Sequence, residues 1–145
     1  MALTLSDIRA AIKDQLVANL DRETNVYAEG EGDAFPSITI ALQDSDPIDY
    51  WLTMNGPTGN GVAEVRFDLI VDVGMTDRKS AVRRLDDYLS VGTGNGSSII
   101  DALRADVTLG GVVETVHISR VSQYDAKNVT AVLPLQVVCR KQGAN

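Results

Sequence analysis

Residues 78–113 read RKSAVRRLDDYLSVGTGNGSSIIDALRADVTLGGVV, and this stretch decides how the chain is divided. In its first third, Val82, Leu85 and Leu89 recur at helical spacing, with Ala81 and Tyr88 beside them. That pattern predicts an amphipathic helix from Arg78 to about Leu89, capped by Thr76 or Asp77. Its outward side carries Arg78, Lys79, Arg83 and Arg84. Asp86 and Asp87 follow directly and Arg83–Asp87 are four apart, so the face reads as a salt-bridged, solvated one rather than a phosphate-binding one. The segment Val91-Gly-Thr-Gly-Asn-Gly-Ser-Ser98 then ends that helix, and Ser97 or Ser98 caps a second, short helix over Ile99–Ala105. Ile99, Ile100, Leu103 and Val107 are its expected anchors, and Asp106–Gly111 is a turn.

Strand patterns lie on both sides. In Val62–Val73, Val65, Phe67, Leu69, Val71 and Val73 face one way and Glu64, Arg66, Asp68 and Asp72 the other, with Ile70 out of pattern. A slip of one residue would expose the whole apolar set, so this register is fixed. The strand is expected to pair back antiparallel with Ser37–Leu42, where Ile38, Ile40 and Leu42 alternate. Val26–Ala28 reads as a short strand before it. Downstream, Val112–Val121 reads as a strand with Val112, Val116 and Ile118 buried, Tyr124–Asn128 as a hairpin loop, and Val129–Arg140 as the returning strand. Pro134 has no amide to donate, which predicts an edge position or a bulge there. Near the start, Ser6 can cap a helix to about Leu20 with Ile8, Ile12, Leu16 and Leu20 as its apolar stripe. Lys141–Asn145 reads as a loose tail. The order predicts one α+β domain over residues 1–145: a mostly antiparallel or mixed β-sheet with two main helices packed on one face, plus a short third helix.

Composition narrows the function. The formal net charge is -7, which disfavours binding nucleic acid through a general basic footprint. One cysteine, Cys139, excludes an internal disulfide, and one His with one Cys makes a poor zinc donor set. The first residues lack a basic segment followed by a long apolar run, so no signal peptide is expected. No run nears the ~18 apolar residues of a membrane span. The chain is expected in the cytoplasm at synthesis, with no membrane partner.

No catalytic constellation is visible, and no catalytic residue, cofactor or metal is assigned. His117 has no nucleophile or carboxylate at motif spacing and reads as a surface residue. Glu29–Asp33 has three carboxylates but not the spacing of an EF-hand. The Gly92–Ser98 loop could form an anion nest ahead of a helix, but neither the Lys-Ser/Thr of a P-loop nor a strand before the glycines is present. The remaining candidate is residues 43–61, which read as a long irregular loop because Asp, Pro and Gly recur through it. In its middle lies Ile48-Asp-Tyr-Trp-Leu-Thr-Met54, holding the one Trp of the chain. This is either a short strand or flap over the core, or a partner contact, since aromatics and Met are enriched at interfaces. Asp46, Pro47, Tyr50, Trp51 and Met54 are the candidate partner-binding residues.

Three segments carry a resemblance: Arg83-Arg-Leu-Asp-Asp-Tyr-Leu89, Ser98-Ile-Ile-Asp-Ala-Leu-Arg-Ala-Asp106 and Thr108-Leu-Gly-Gly-Val-Val113. Together with the first helix, the Phe35-Pro36 lead into a strand and the final alternating hairpin, they make the chain similar to tail terminator proteins of long-tailed phages, most of all those infecting actinobacteria. The likeness covers nearly the whole chain, and its motifs are structural rather than chemical. It implies a virion protein at the head-proximal end of the tail, present in the host cytoplasm before assembly. Such proteins form a homo-oligomeric ring, usually a hexamer, that caps the tail tube protein and ends its polymerisation. The ring offers a docking surface to the head-tail connector or stopper protein, and DNA passes through its lumen without sequence-specific binding. A further neck protein or a tail tube subunit is the near alternative, and a small anion- or nucleotide-binding domain using Gly92–Ser98 the remote one.

Overall fold

A computed structural model describes residues 5–20, 24–28, 32, 34–52, 61–74, 77–92 and 98–141, with the main chain alone at 49–52, 61, 62, 140 and 141. The elements are α1 (Leu5–Asn19), β1 (Asn25–Ala28), β2 (Ser37–Leu42), β3 (Ile48–Leu52), β4 (Gly61–Asp72), α2 (Arg78–Leu89), α3 (Ile99–Arg104), β5 (Thr115–Ile118), β6 (Gln123–Asp125) and β7 (Thr130–Lys141). The fold is α+β, with a mixed seven-stranded sheet.

The two most strongly alternating sequences become the centre of the sheet. β4 and β7, twelve residues each, pair antiparallel from Gly61 opposite Lys141 to Asp72 opposite Thr130. This register sets Val65, Phe67, Leu69 and Val71 beside Val137, Leu135, Leu133 and Ala131, all buried. The helices supply the other half of one core: Ile8, Ile12 and Leu16 from α1, Ala81, Leu85 and Tyr88 from α2, and Ile99, Ala102 and Leu103 from α3. Each of the larger side chains contributes roughly 1.5–3 kcal/mol by leaving water. Polar contacts then fix the helices in place. The Gln15 side chain donates from Nε2 to the Ala102 carbonyl at 2.9 Å, tying α1 to α3. The Tyr88 hydroxyl meets Thr24 Oγ1 at 2.7 Å, and the Arg9 guanidinium lies 5.9 Å from the Phe67 ring centre.

The opposite sheet face carries Glu64, Arg66, Asp68, Ile70 and Asp72 against Val138, Gln136, Pro134, Val132 and Thr130. These side chains are half-buried, and Ile70 is 37% exposed.

Each flank of the central pair is an interrupted strand. β2 and β3 lie end to end along the same edge of β4. Leu42 pairs with Phe67 and Ile48 with Val65, so the five residues 43–47 stand opposite Arg66 alone. β1 then adds parallel to β2. Across the sheet, β5 and β6 lie end to end along β7, with residues 119–122 opposite Leu133 and Pro134. The stretch read as one irregular loop over 43–61 is therefore corrected: it contains β3, and residues 53–60 lie outside the described residues.

Other boundaries also move. The expected Val112–Val121 strand shrinks to Thr115–Ile118, and Val112 and Val121 are exposed. Tyr124 and Asp125, expected in the loop, belong to β6. β7 is not an edge strand despite Pro134. Val107, expected as an anchor, is 40% exposed, and the buried apolar groups of that turn are Leu109 and Val113. Asp77 is the N-cap residue of α2, but its carboxylate accepts from the Ser80 hydroxyl instead of a first-turn amide. Ser98 does cap α3, accepting from the Asp101 amide at 3.1 Å. Ser6 lies inside α1, and a cap from residues before Leu5 lies outside the described residues, as do Gln142–Asn145 of the expected tail.

Turns place the ends of the long strands. At the exit of β4, Gly74 has φ +74, and a Cβ there would stand 2.8 Å from Phe35 Cβ, so only glycine fits. Before β7, Val129 holds φ 56, an outlying conformation for a β-branched residue. Two features offset the strain: its side chain is wholly buried, and the Asp125 carboxylate accepts from the Lys127 and Asn128 amides and the Asn128 side chain.

Candidate functional site

The candidate residues gather around Arg66. Its amide donates to the Pro47 carbonyl at 2.7 Å, and its carbonyl accepts from the Gln43 amide at 3.0 Å. Both ends of the 43–47 excursion are thus bonded to one residue. The guanidinium completes the clamp: Nη1 donates to the Asp46 carbonyl at 2.7 Å, and Nη2 pairs with Glu64. Asp46 is exposed with φ 51, a left-handed conformation that Asp tolerates better than most residues. Asp44 and Ser45 are exposed beside it.

Of the residues singled out in sequence, Asp46 and Pro47 therefore meet in this clamp. Tyr50 and Trp51 follow in β3, with their main chains opposite Ala63 and Val62. Met54 lies outside the described residues. The clamp brings these positions onto one edge of the sheet. Among the described residues, β3 pairs with β4 and with no other strand.

A second feature sits at the far side. A cleft of about 150 Å³ opens between α3 and β5, lined by Ile100, Leu103, Arg104, Val107, His117 and Ile118 among others. That is below the roughly 300–1,000 Å³ of small-molecule sites. Sequence reasoning missed this cleft, because Arg104, Val107 and His117 carry no shared motif. The available signal was the apolar Val107, placed in a polar turn.

The chemical alternatives find little support in geometry. At the glycine-rich segment, Gly92 has φ +75 and its amide donates to the Asp101 carboxylate at 2.8 Å. A side-chain carboxylate thus occupies that donor, and residues 93–97 lie outside the described residues. Among the described residues no three His, Cys, Asp or Glu side chains come together as a metal site. His117 is exposed on β5 opposite Gln136. Burial raises the pKa of the half-buried Cys139 thiol, which disfavours the nucleophilic thiolate. Asp68 is raised by desolvation, then lowered by the Gln43 hydrogen bond, then raised by the charge of Asp44. Asp106 is lowered by the Thr108 hydroxyl and by the Gly110 and Thr108 amides. Asp125 is lowered by the amide and side chain of Asn128. The lowered pair are turn-formers.

Comparison with models of protein families finds no match for this chain, and comparison with curated proteins finds none either.

Proposed function

We propose that the chain is a structural subunit that assembles through its sheet edges, and specifically a tail terminator: a ring that caps the head-proximal end of a phage tail tube, stops its growth and receives the head connector. One observation carries this reading. Among the described residues the sheet ends in two unlike open edges, β1 with β3 on one side and β5 with β6 on the other. Two different surfaces on one subunit are what a head-to-tail contact needs, and such a contact closes into a ring when its rotation permits. The segments that carry the resemblance fall within α2, across α3 and in the turn before β5. The charge of -7 suits a lumen that lets DNA pass without holding it.

The deciding measurement is mass in solution across concentration, by light scattering or native mass spectrometry, followed by negative-stain imaging. Closed rings of about six subunits without long tubes are expected. Long tubes would assign the chain to the tube instead. A monomer that binds nucleotide or inorganic phosphate would favour the anion-binding alternative. Trp51→Ala is expected to keep the monomer folded while weakening assembly. If that variant unfolds, Trp51 belongs to the core and the assembly role of β3 is lost.

A further inference from the structure

We propose that the chain cuts itself between Asp46 and Pro47, the bond that ends the 43–47 excursion. This chemistry is separate from the assembly reading and arises in the clamp around Arg66.

The bond is chemically weak to begin with. The chain has four prolines, and Pro47 alone follows an aspartate. An aspartate carboxyl can reach its own main-chain carbonyl carbon through a five-membered ring, which gives the attack the advantage of an intramolecular reaction. The tertiary nitrogen of proline is more basic than that of other peptide bonds, so it takes a proton and leaves more readily.

The fold adds to this weakness. Asp46 holds φ 51, a left-handed conformation, although a residue before proline is ordinarily extended. Cleavage releases it from that conformation. Its carbonyl oxygen accepts from Arg66 Nη1 at 2.7 Å, a charge-assisted bond to the atom on which negative charge builds during attack. Arg66 also fixes the leaving side, since its amide donates to the Pro47 carbonyl at 2.7 Å. The Asp46 carboxylate is left unengaged: among the described residues it takes no hydrogen bond or ion pair, whereas those of Asp72, Asp106 and Asp125 all accept from nearby amides. Asp46 is exposed, so water reaches the bond.

These groups suffice for a balanced reaction. With the Asp46 carboxyl in its acid form, one Oδ attacks the main-chain carbonyl carbon of the same residue. The O–C bond forms, the C–N bond to Pro47 breaks, and the carboxyl proton passes to the Pro47 nitrogen, which leaves as a secondary amine. Water then opens the cyclic anhydride, restoring the side-chain carboxyl and giving Asp46 a new terminal one. The cut falls between β2 and β3, each of which keeps its own ladder to β4. The nicked chain therefore stays folded, with a free N-terminal end on β3.

The test incubates the full chain at one mildly acidic pH and follows it by intact-mass measurement, with circular-dichroism melting to establish folding. Fragments 1–46 and 47–145 are expected, their masses summing to that of the chain plus one water, at a rate independent of protein concentration. The folded chain is expected to cut about tenfold or more faster than the same chain unfolded in urea at that pH, because only the fold holds Arg66 on the carbonyl. Arg66→Lys keeps the main-chain bonds and the charge but loses the fork, and is expected to slow cutting about tenfold or more. Asp46→Asn tolerates the left-handed conformation and is expected to abolish cutting. If Arg66→Lys does not fold, Asp46→Asn and the unfolded wild type decide. A folded wild-type chain that stays intact overturns the proposal. Equal rates in the folded and unfolded chain, or in the wild type and either folded variant, overturn it as well.

Discussion

On one side of the β4–β7 pair, the flanking strand is interrupted by an excursion that Arg66 holds with its amide, carbonyl and guanidinium. On the other side it is interrupted at Pro134, where among the described residues no comparable clamp holds the gap. The Val132 carbonyl accepts from the Ser122 amide and the Val138 carbonyl from the Glu114 amide, so even-numbered residues of β7 face β5 and β6. Pro134 is one of them. Its missing amide falls opposite residues 119–122, where no ladder runs. One break is therefore built by added bonds, and the other follows from a bond that proline cannot make. Both blunt an edge that would otherwise be long and flat, a liability for unwanted pairing. They leave short strands with open edges, the form a selective contact can use.

Four measurements would break or sharpen this contrast. The largest effect is expected where the flanks share support: Phe67→Ala should cost about 3–5 kcal/mol in denaturant unfolding and loosen both sides. Phe67 is wholly buried at the middle of β4 and under Arg9. A smaller loss, about 1–2 kcal/mol, is expected for Arg66→Ala, with faster amide exchange confined to residues 43–52. Equal acceleration in β5 and β6 would mean the clamp is not local to its flank.

Pro134→Ala should change stability by less than about 1 kcal/mol. Its new amide should exchange rapidly, since nothing stands opposite to accept it. Slow exchange there would show that the outer strand closes when given a donor.

Acid should separate the flanks with the smallest effect. Asp106 and Asp125, on the β5–β6 side, have pKa values lowered below the usual 3.8. Their contribution is full above that value and is lost as pH falls through the folded pKa. Asp68, beside Gln43, is raised above 3.8 by desolvation. Its sign is opposite: the favourable contribution is full below 3.8 and lost as pH rises through the folded pKa. Between neutral pH and about 4, protection of the β2–β3 flank should therefore rise slightly. Below that, the β6–β7 turn should open first. Asp68→Asn should remove the rise and leave the loss.

Much of this was legible in the chain. The alternation of Val65–Val71 and Val129–Val137 gave both long strands and their buried faces, because a period of two leaves one consistent set of inward residues, while their pairing with each other came from the fold. α2 was legible from Val82, Leu85 and Leu89 with Ala81 and Tyr88, of which Val82 and Leu89 prove only partly buried, and the cap of α3 was legible as Ser97 or Ser98. β3 was obscured by Asp44, Asp46 and Pro47, residues that ordinarily mark a loop. They do form one, but it spans only 43–47 before pairing resumes. Pro134 signalled a lost donor correctly and an edge position wrongly, because a break in the neighbouring strand satisfies the same constraint. Of the candidate site, Asp46 and Pro47 were named without their partner, His117 was read only as a surface residue, and Arg104 was not singled out.

The sequence by itself determined the three helices, the long strands β4 and β7 with their apolar faces, and that the sheet would be covered by helices on one side. These follow from periodicity, a property of neighbours along the chain. Only the tertiary structure decided that β2 and β3 share one edge of β4, that β5 and β6 share one edge of β7, and that Arg66 closes the first gap. Those outcomes depend on hydrogen bonds between residues far apart in sequence, where each amide takes the carbonyl that the fold brings to it and no local pattern records the choice.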